Sequence, residues 1–212
     1  LKGTRATAEE RAAVLAGLER FTGISADYWD RANLRINEAR FAKELLRDQR
    51  KTVGRVDSRF VGDAINHIGE MFNYDPYMAA VGPAFIAAFN DYYREELGVK
   101  TDRPYVGSAG LYRDWDQRHQ TPGMGKVAIA NTAVDLAYAM SQNPNMRLLV
   151  QQGYFDLATP YGATQYFLDH MEIPERARDN ITLELYEAGH MMYVHPDSMA
   201  KFRRDLAEFI GQ

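Results

Sequence analysis

Two ionisable residues follow short apolar runs near the end of the sequence. Asp156 closes Gly153-Tyr154-Phe155-Asp156, just after MRLLVQQG (146–153). His190 stands in Ala188-Gly189-His190-Met191, just after ITLELYE (181–187). A carboxylate that holds an imidazole in one tautomer, and stabilises the imidazolium it becomes, makes that histidine an effective general base. Either residue alone reads equally well as a turn residue. The pair is more specific, because the acid and the base occupy successive strand-end loops in that order.

A base needs something to activate. There is no cysteine, which removes thiolate nucleophiles, thiolate metal sites and disulfides. The nearest approach to a G-x-S-x-G elbow is VGSAG (106–110), where Val106 stands in place of the first glycine. Ser108 therefore reads as part of a glycine-rich turn, and Ser25, Ser58, Ser141 and Ser198 have no glycine frame. A metal site would draw on His170, His190 and His195. The last two are five residues apart, which does not match the i, i+4 histidines of a helical zinc motif. His195-Pro196 reads as a helix lead-in and Glu187 as a solvated carboxylate. His67 and His119 receive no role. No metal and no organic cofactor is expected.

The elements that would position the pair are read from periodicity and punctuation. Strand 146–153, helix 159–171, strand 181–187 and a closing helix from Pro196 form a parallel β-α-β-α unit. Such sheets react substrates at the carboxyl ends of their strands, where Asp156 and His190 fall. The last helix carries Met199, Phe202, Leu206, Phe209 and Ile210 as its apolar stripe. Upstream, Thr7-Ala-Glu-Glu10 has capping-box form and Gly23 is a stop, with Val14, Leu15, Leu18 and Phe21 on one face. Ser25 caps a second helix, and a third runs from about Asn37. KTVGRVDSRFVGD (51–63) reads as loop. Pro83 has the placing of a first-turn proline and Gly98 that of a terminal glycine. Residues 100–125 read mostly as loop, and a helix is expected over about 126–142. Two parallel strands make a poor sheet, so a third is expected near PYVGS (104–108) or on another segment.

The 212 residues are 46% hydrophobic and 25% charged, with a net charge of −4. That is a globular composition with no electrostatic pull toward nucleic acid or anionic membrane. No apolar run approaches the roughly 20 residues of a membrane-spanning helix. The sequence opens on Leu1, so a piece of a longer chain is expected.

GYFDLATP, YEAGHMMYVHP and the closing amphipathic helix resemble the C-terminal end of the serine carboxypeptidase family of α/β-hydrolases. GRVDSRF (54–60) and YDPYMAAVGPAFIAAFNDYYREELG (74–98) resemble the helical insertion of its bacterial members. The order acid then histidine is also that of α/β-hydrolases. The resemblance implies an α/β fold: the C-terminal part of an α/β-hydrolase, with a mostly helical cap region over 1–125 and a catalytic-domain segment over 126–212. It implies Asp156 as the acid, His190 as the base and Met191 as lining for the departing C-terminal residue. Tyr154, Phe155, Met192 and Tyr193 flank the pair and are expected to wall a hydrophobic subsite, with core packing as the equal alternative. A secreted or periplasmic location is suggested by the family alone.

The family's serine elbow and oxyanion-hole glycines have no counterpart in these 212 residues. The expected activity is removal of C-terminal residues from peptides by the whole enzyme, with this chain alone inactive. The expected partners are a peptide substrate and a complementary N-terminal chain carrying the serine, or self-association through exposed sheet edge. The alternatives are a non-catalytic helical peptide-binding module, and an esterase or acyltransferase of the same fold.

Overall fold

The computed structural model describes residues 3–107 and 110–211. It is a mixed α/β structure, roughly 49% helix, with small two-stranded sheets that include one parallel pair. The chain separates into two compact units. One holds the residues up to Val81 together with Phe155–Ala158, and the other holds the remainder.

The first unit opens with three helices whose ends follow from their capping residues. In α1 (Ala8–Thr22) the Thr7 side chain accepts the Glu10 N–H and the Glu10 carboxylate accepts the Thr7 N–H. Gly23, at φ 75°, ends the helix in the left-handed region. Ser25 caps α2 (Ala26–Arg31) and Asn37 caps α3 (Glu38–Glu44). Trp29 is buried, and its indole N–H donates to Thr22 Oγ1 at 3.1 Å. Leu15 and Leu18 are half-buried, while Val14 and Phe21 are exposed.

The stretch 51–63 is not simple loop. β1 (Lys51–Val53) and β2 (Val61–Asp63) pair antiparallel, Lys51 opposite Asp63 and Val53 opposite Val61. Three-residue strands are too short to show alternation, which is why the glycines and charges dominate the reading. The helix α4 (Pro76–Asp91) begins seven residues before Pro83, which lies inside it. The true start signal is Asp75-Pro76: Asp75 Oδ1 accepts the Tyr77 N–H at 2.9 Å, and Pro76 takes the first helical position. A π-helical turn, Tyr92–Glu96, follows α4, and Gly98 comes after it at φ 64°.

The second unit contains a further unexpected hairpin. β3 (His119–Thr121) pairs antiparallel with β4 (Gly125–Val127), and Gly123 and Gly125 turn the chain at φ 74° and 78°. Helix α5 (Thr132–Gln142) therefore starts six residues later than its periodicity suggests. β5 (Leu148–Gly153) and β6 (Ile181–Tyr186) pair in parallel from Leu148 opposite Ile181 to Gly153 opposite Tyr186. Between them run α6 (Tyr161–Asp169) and the short α7 (Glu175–Arg178). Among the described residues no third strand joins this pair. Residues 104–107 are not strand, and Ser108 lies outside the described residues.

Met140, Met171 and Ala177 form a buried cluster with Leu136, Leu148, Leu168, Ile173 and Ile181 around it. It joins α5, β5 and the crossover, and each buried methionine contributes about 1.5–3 kcal/mol. Helix α8 (Pro196–Gly211) divides the expected stripe. Phe202 and Phe209 are half-buried, but Met199, Leu206 and Ile210 are exposed. The sheltered face is instead shared with Ser198, Lys201 and Asp205, for a reason given below.

Candidate functional site

The site begins where β5 and β6 end. A Cβ on Gly153 would lie 2.1 Å from the Ala188 carbonyl oxygen and 2.3 Å from that of Gly189. Only glycine permits so close a backbone approach. Tyr186 O accepts two N–H groups, from Tyr154 at 2.9 Å and from Ala188 at 2.8 Å. The glycine of the G-x-x-D turn and the Ala-Gly of the A-G-H-M turn are thus packed together by backbone alone.

His190 projects from that turn and is exposed. Its Nδ1 lies 3.2 Å from Thr159 Oγ1, and the donor depends on the tautomer. If Nδ1 carries the proton, Nε2 is the basic nitrogen. Thr159 is itself held, because its carbonyl accepts from Gln152 Nε2 at 2.9 Å. Threonine is a common loop residue, and although Thr159 lies within GYFDLATP its type and spacing assign it no role. Met191 is half-buried and Met192 buried at the start of a 3₁₀ turn, Met192–Val194. Tyr193 is exposed. Tyr154 is exposed too, and stands edge-on to Tyr161 with ring centres 5.3 Å apart. His195 serves the helix start, with Nδ1 2.8 Å from Ser198 Oγ and its carbonyl accepting the Met199 N–H.

Phe155 and Asp156 belong to the first unit. Asp156 is only 3% exposed, and its Oδ1 accepts the Ala158 N–H at 2.7 Å. Its short segment is stitched to the 54–60 loop. The Ser58 N–H donates to the Phe155 carbonyl at 2.9 Å and the Leu157 N–H to that of Arg55 at 3.1 Å. The Arg59 guanidinium lies over the Phe155 ring, 5.1 Å from its centre, and grips buried Asp57 through two nitrogens. The loop is fixed from behind by Asp75. Its Oδ2 accepts the N–H groups of Arg55 and Val56, both at 3.1 Å, while Oδ1 serves Tyr77. Gly54 is required here, since a Cβ would sit 2.5 Å from the Asp57 carbonyl. The GRVDSRF and YDPY stretches are therefore one hydrogen-bonded construction that carries Asp156.

A polar chain centred on buried Tyr186 links β5, β6 and α8. Gln151 Nε2 donates to Tyr186 Oη at 2.7 Å, and Tyr186 donates to Asp205 at 2.6 Å. Lys201 bridges Asp205 and Glu184 and lies over the Tyr186 ring. Burial, then the bond to Asp205, pushes the Tyr186 phenol up to about 12. For Asp205 burial raises the pKa, but the hydrogen bonds from Lys201 and Tyr186 outweigh it and hold the carboxyl below its ordinary value. This is why α8 turns Lys201 and Asp205 inward. Elsewhere in the second unit His119 Nε2 meets Asp135 Oδ2 at 2.8 Å, joining β3 to α5. That His–carboxylate pair was not legible, because neither residue stands in a motif.

Among the described residues no group of three metal-ligating side chains comes together, and no helix is long and apolar enough to cross a membrane. No protein-family model, curated protein or solved structure matches the chain.

Proposed function

We propose that this chain supplies the general base and the orienting acid of a serine carboxypeptidase-like α/β-hydrolase, as the C-terminal part of that fold. In this reading a serine from outside these 212 residues attacks the carbonyl of the last peptide bond. His190 takes the serine proton and delivers it to the leaving amine, and Asp156 orients His190 and stabilises its imidazolium. Met191, Tyr154, Phe155 and Tyr193 contact the departing residue. Thr159 adds a second hold on His190.

The observation that carries the proposal is the backbone packing of Gly153 on Ala188-Gly189, at the carboxyl ends of two parallel strands in register. It supports the view that the end of β5 and the A-G-H-M turn form one construction, as catalytic loops at a strand-end rim do. The test is hydrolysis of a blocked dipeptide by the chain alone and together with a separate segment that carries a serine carboxypeptidase G-x-S-x-G elbow. Turnover only in the combination, abolished by His190→Ala, supports it. Peptide binding without turnover in either case, unchanged by His190→Ala, favours a binding module instead.

A further inference from the structure

The second unit holds a cavity of about 460 Å³ beside the π-helical turn, at a distance in sequence from every residue assigned above. Phe89, Tyr93 and Tyr105 give it an aromatic wall. Phe89 and Tyr93 stack with ring centres 5.4 Å apart and 17° between planes, and Tyr105 lies on Phe89 at 4.1 Å. Arg94 and Arg103 also line it. Among the described residues neither guanidinium is engaged in an ion pair or hydrogen bond.

The backbone is irregular at this point. The Leu97 N–H donates to the Tyr92 carbonyl, five residues back, at 3.0 Å. A π turn costs helical regularity and is retained mostly where it re-aims side chains for function. Tyr93 and Arg94 both lie in this turn and both line the cavity. A volume in the ligand range, a stacking surface and two uncommitted planar cations are three separate features of one small-molecule site.

We propose that this cavity binds an aromatic anion: a planar ring that stacks on the Phe89–Tyr105 wall, with a carboxylate or phosphate held by Arg94 and Arg103. The proposal is independent of the hydrolase reading. The ligand class follows from the donors. Guanidinium groups match two-oxygen anions bidentately, and the stacked rings favour a flat apolar body over an aliphatic one.

Isothermal titration calorimetry with phenylacetate, phenyl phosphate and neutral 2-phenylethanol tests it. One anion, at least, saturates a single site with a Kd on the order of 0.1–1 mM, and the alcohol binds at least about tenfold more weakly. Tighter phenylacetate assigns the site to carboxylates, and tighter phenyl phosphate to aryl phosphates. Arg94→Gln and Arg103→Gln each weaken binding about tenfold. Tyr105→Leu keeps an apolar wall but loses the stacking plane, and weakens it less. Arg20→Gln, on α1, changes nothing. Circular dichroism confirms that each variant is folded. No saturable binding of either anion, equal binding of the alcohol, or the same loss in Arg20→Gln overturns the proposal.

Discussion

Gly153 and Ala188 approach so closely that a methyl group on the glycine would stand 2.1 Å from the alanine carbonyl oxygen. The contact is backbone against backbone, and neither partner can rotate away. It ties the end of β5 to the turn after β6 without using any side chain. The identity of the following residues is thereby left free for chemistry.

Gly153→Ala should therefore be among the most damaging single-methyl additions in the second unit. Forcing the Ala188-Gly189 turn to move costs about 1–3 kcal/mol or more. Urea denaturation should show a lowered midpoint, and Gly162→Ala, which meets no atom within 4 Å, should not. An unchanged midpoint for Gly153→Ala contradicts the packing.

In the first unit Asp75 holds the 54–57 loop by accepting three backbone N–H groups. Asp75→Ala leaves all three without that acceptor and should cost about 2–4 kcal/mol. Asp75→Asn retains one accepting oxygen and should cost less. Thermal unfolding orders the three proteins as wild type, Asn, Ala, and protease nicking within 54–60 should rise in the same order.

The Tyr186–Asp205 bond sets two pH limits. Asp205 has a depressed folded pKa, so its contribution is present above the unfolded carboxyl value near about 3.9 and is lost as pH falls through the folded value. Tyr186 is raised from 10.0 to about 12, so the folded state holds its proton where the unfolded state has released it. Stability should fall between those two values as pH rises. Tyr186→Phe should flatten that alkaline decline. It should also destabilise the protein by about 1–3 kcal/mol at neutral pH, because Gln151 and Asp205 each lose a partner. Urea unfolding at several pH values checks both statements.

Long, regular elements were legible and short ones were not. The Thr7–Glu10 box, Gly23, Ser25, the β5 and β6 runs and the Pro196 start are local signals, and each stands where its chemistry requires. The β1–β2 and β3–β4 hairpins have three-residue strands, too few for a period. Pro83 misled because a proline marks a helix start only when no stronger start precedes it, and Asp75-Pro76 does. The stripe on α8 was misplaced because apolar counting ignores a half-buried lysine and aspartate that satisfy a buried tyrosine. Spacing singled out Asp156 and His190 as candidates. Thr159 and Asp75 stand inside the quoted GYFDLATP and YDPY stretches, but a residue that acts through hydrogen bonds across a loop is not marked out by its type or spacing.

The most direct test of the proposed role of His190 is release of the C-terminal residue from a blocked dipeptide. The 212-residue chain alone should give none. Combined with the serine-bearing segment it should hydrolyse the peptide, and His190→Ala in that combination should lower kcat by about 10³-fold or more. Turnover by the isolated 24.1 kDa chain as a monomer, or turnover undiminished in His190→Ala, contradicts the account.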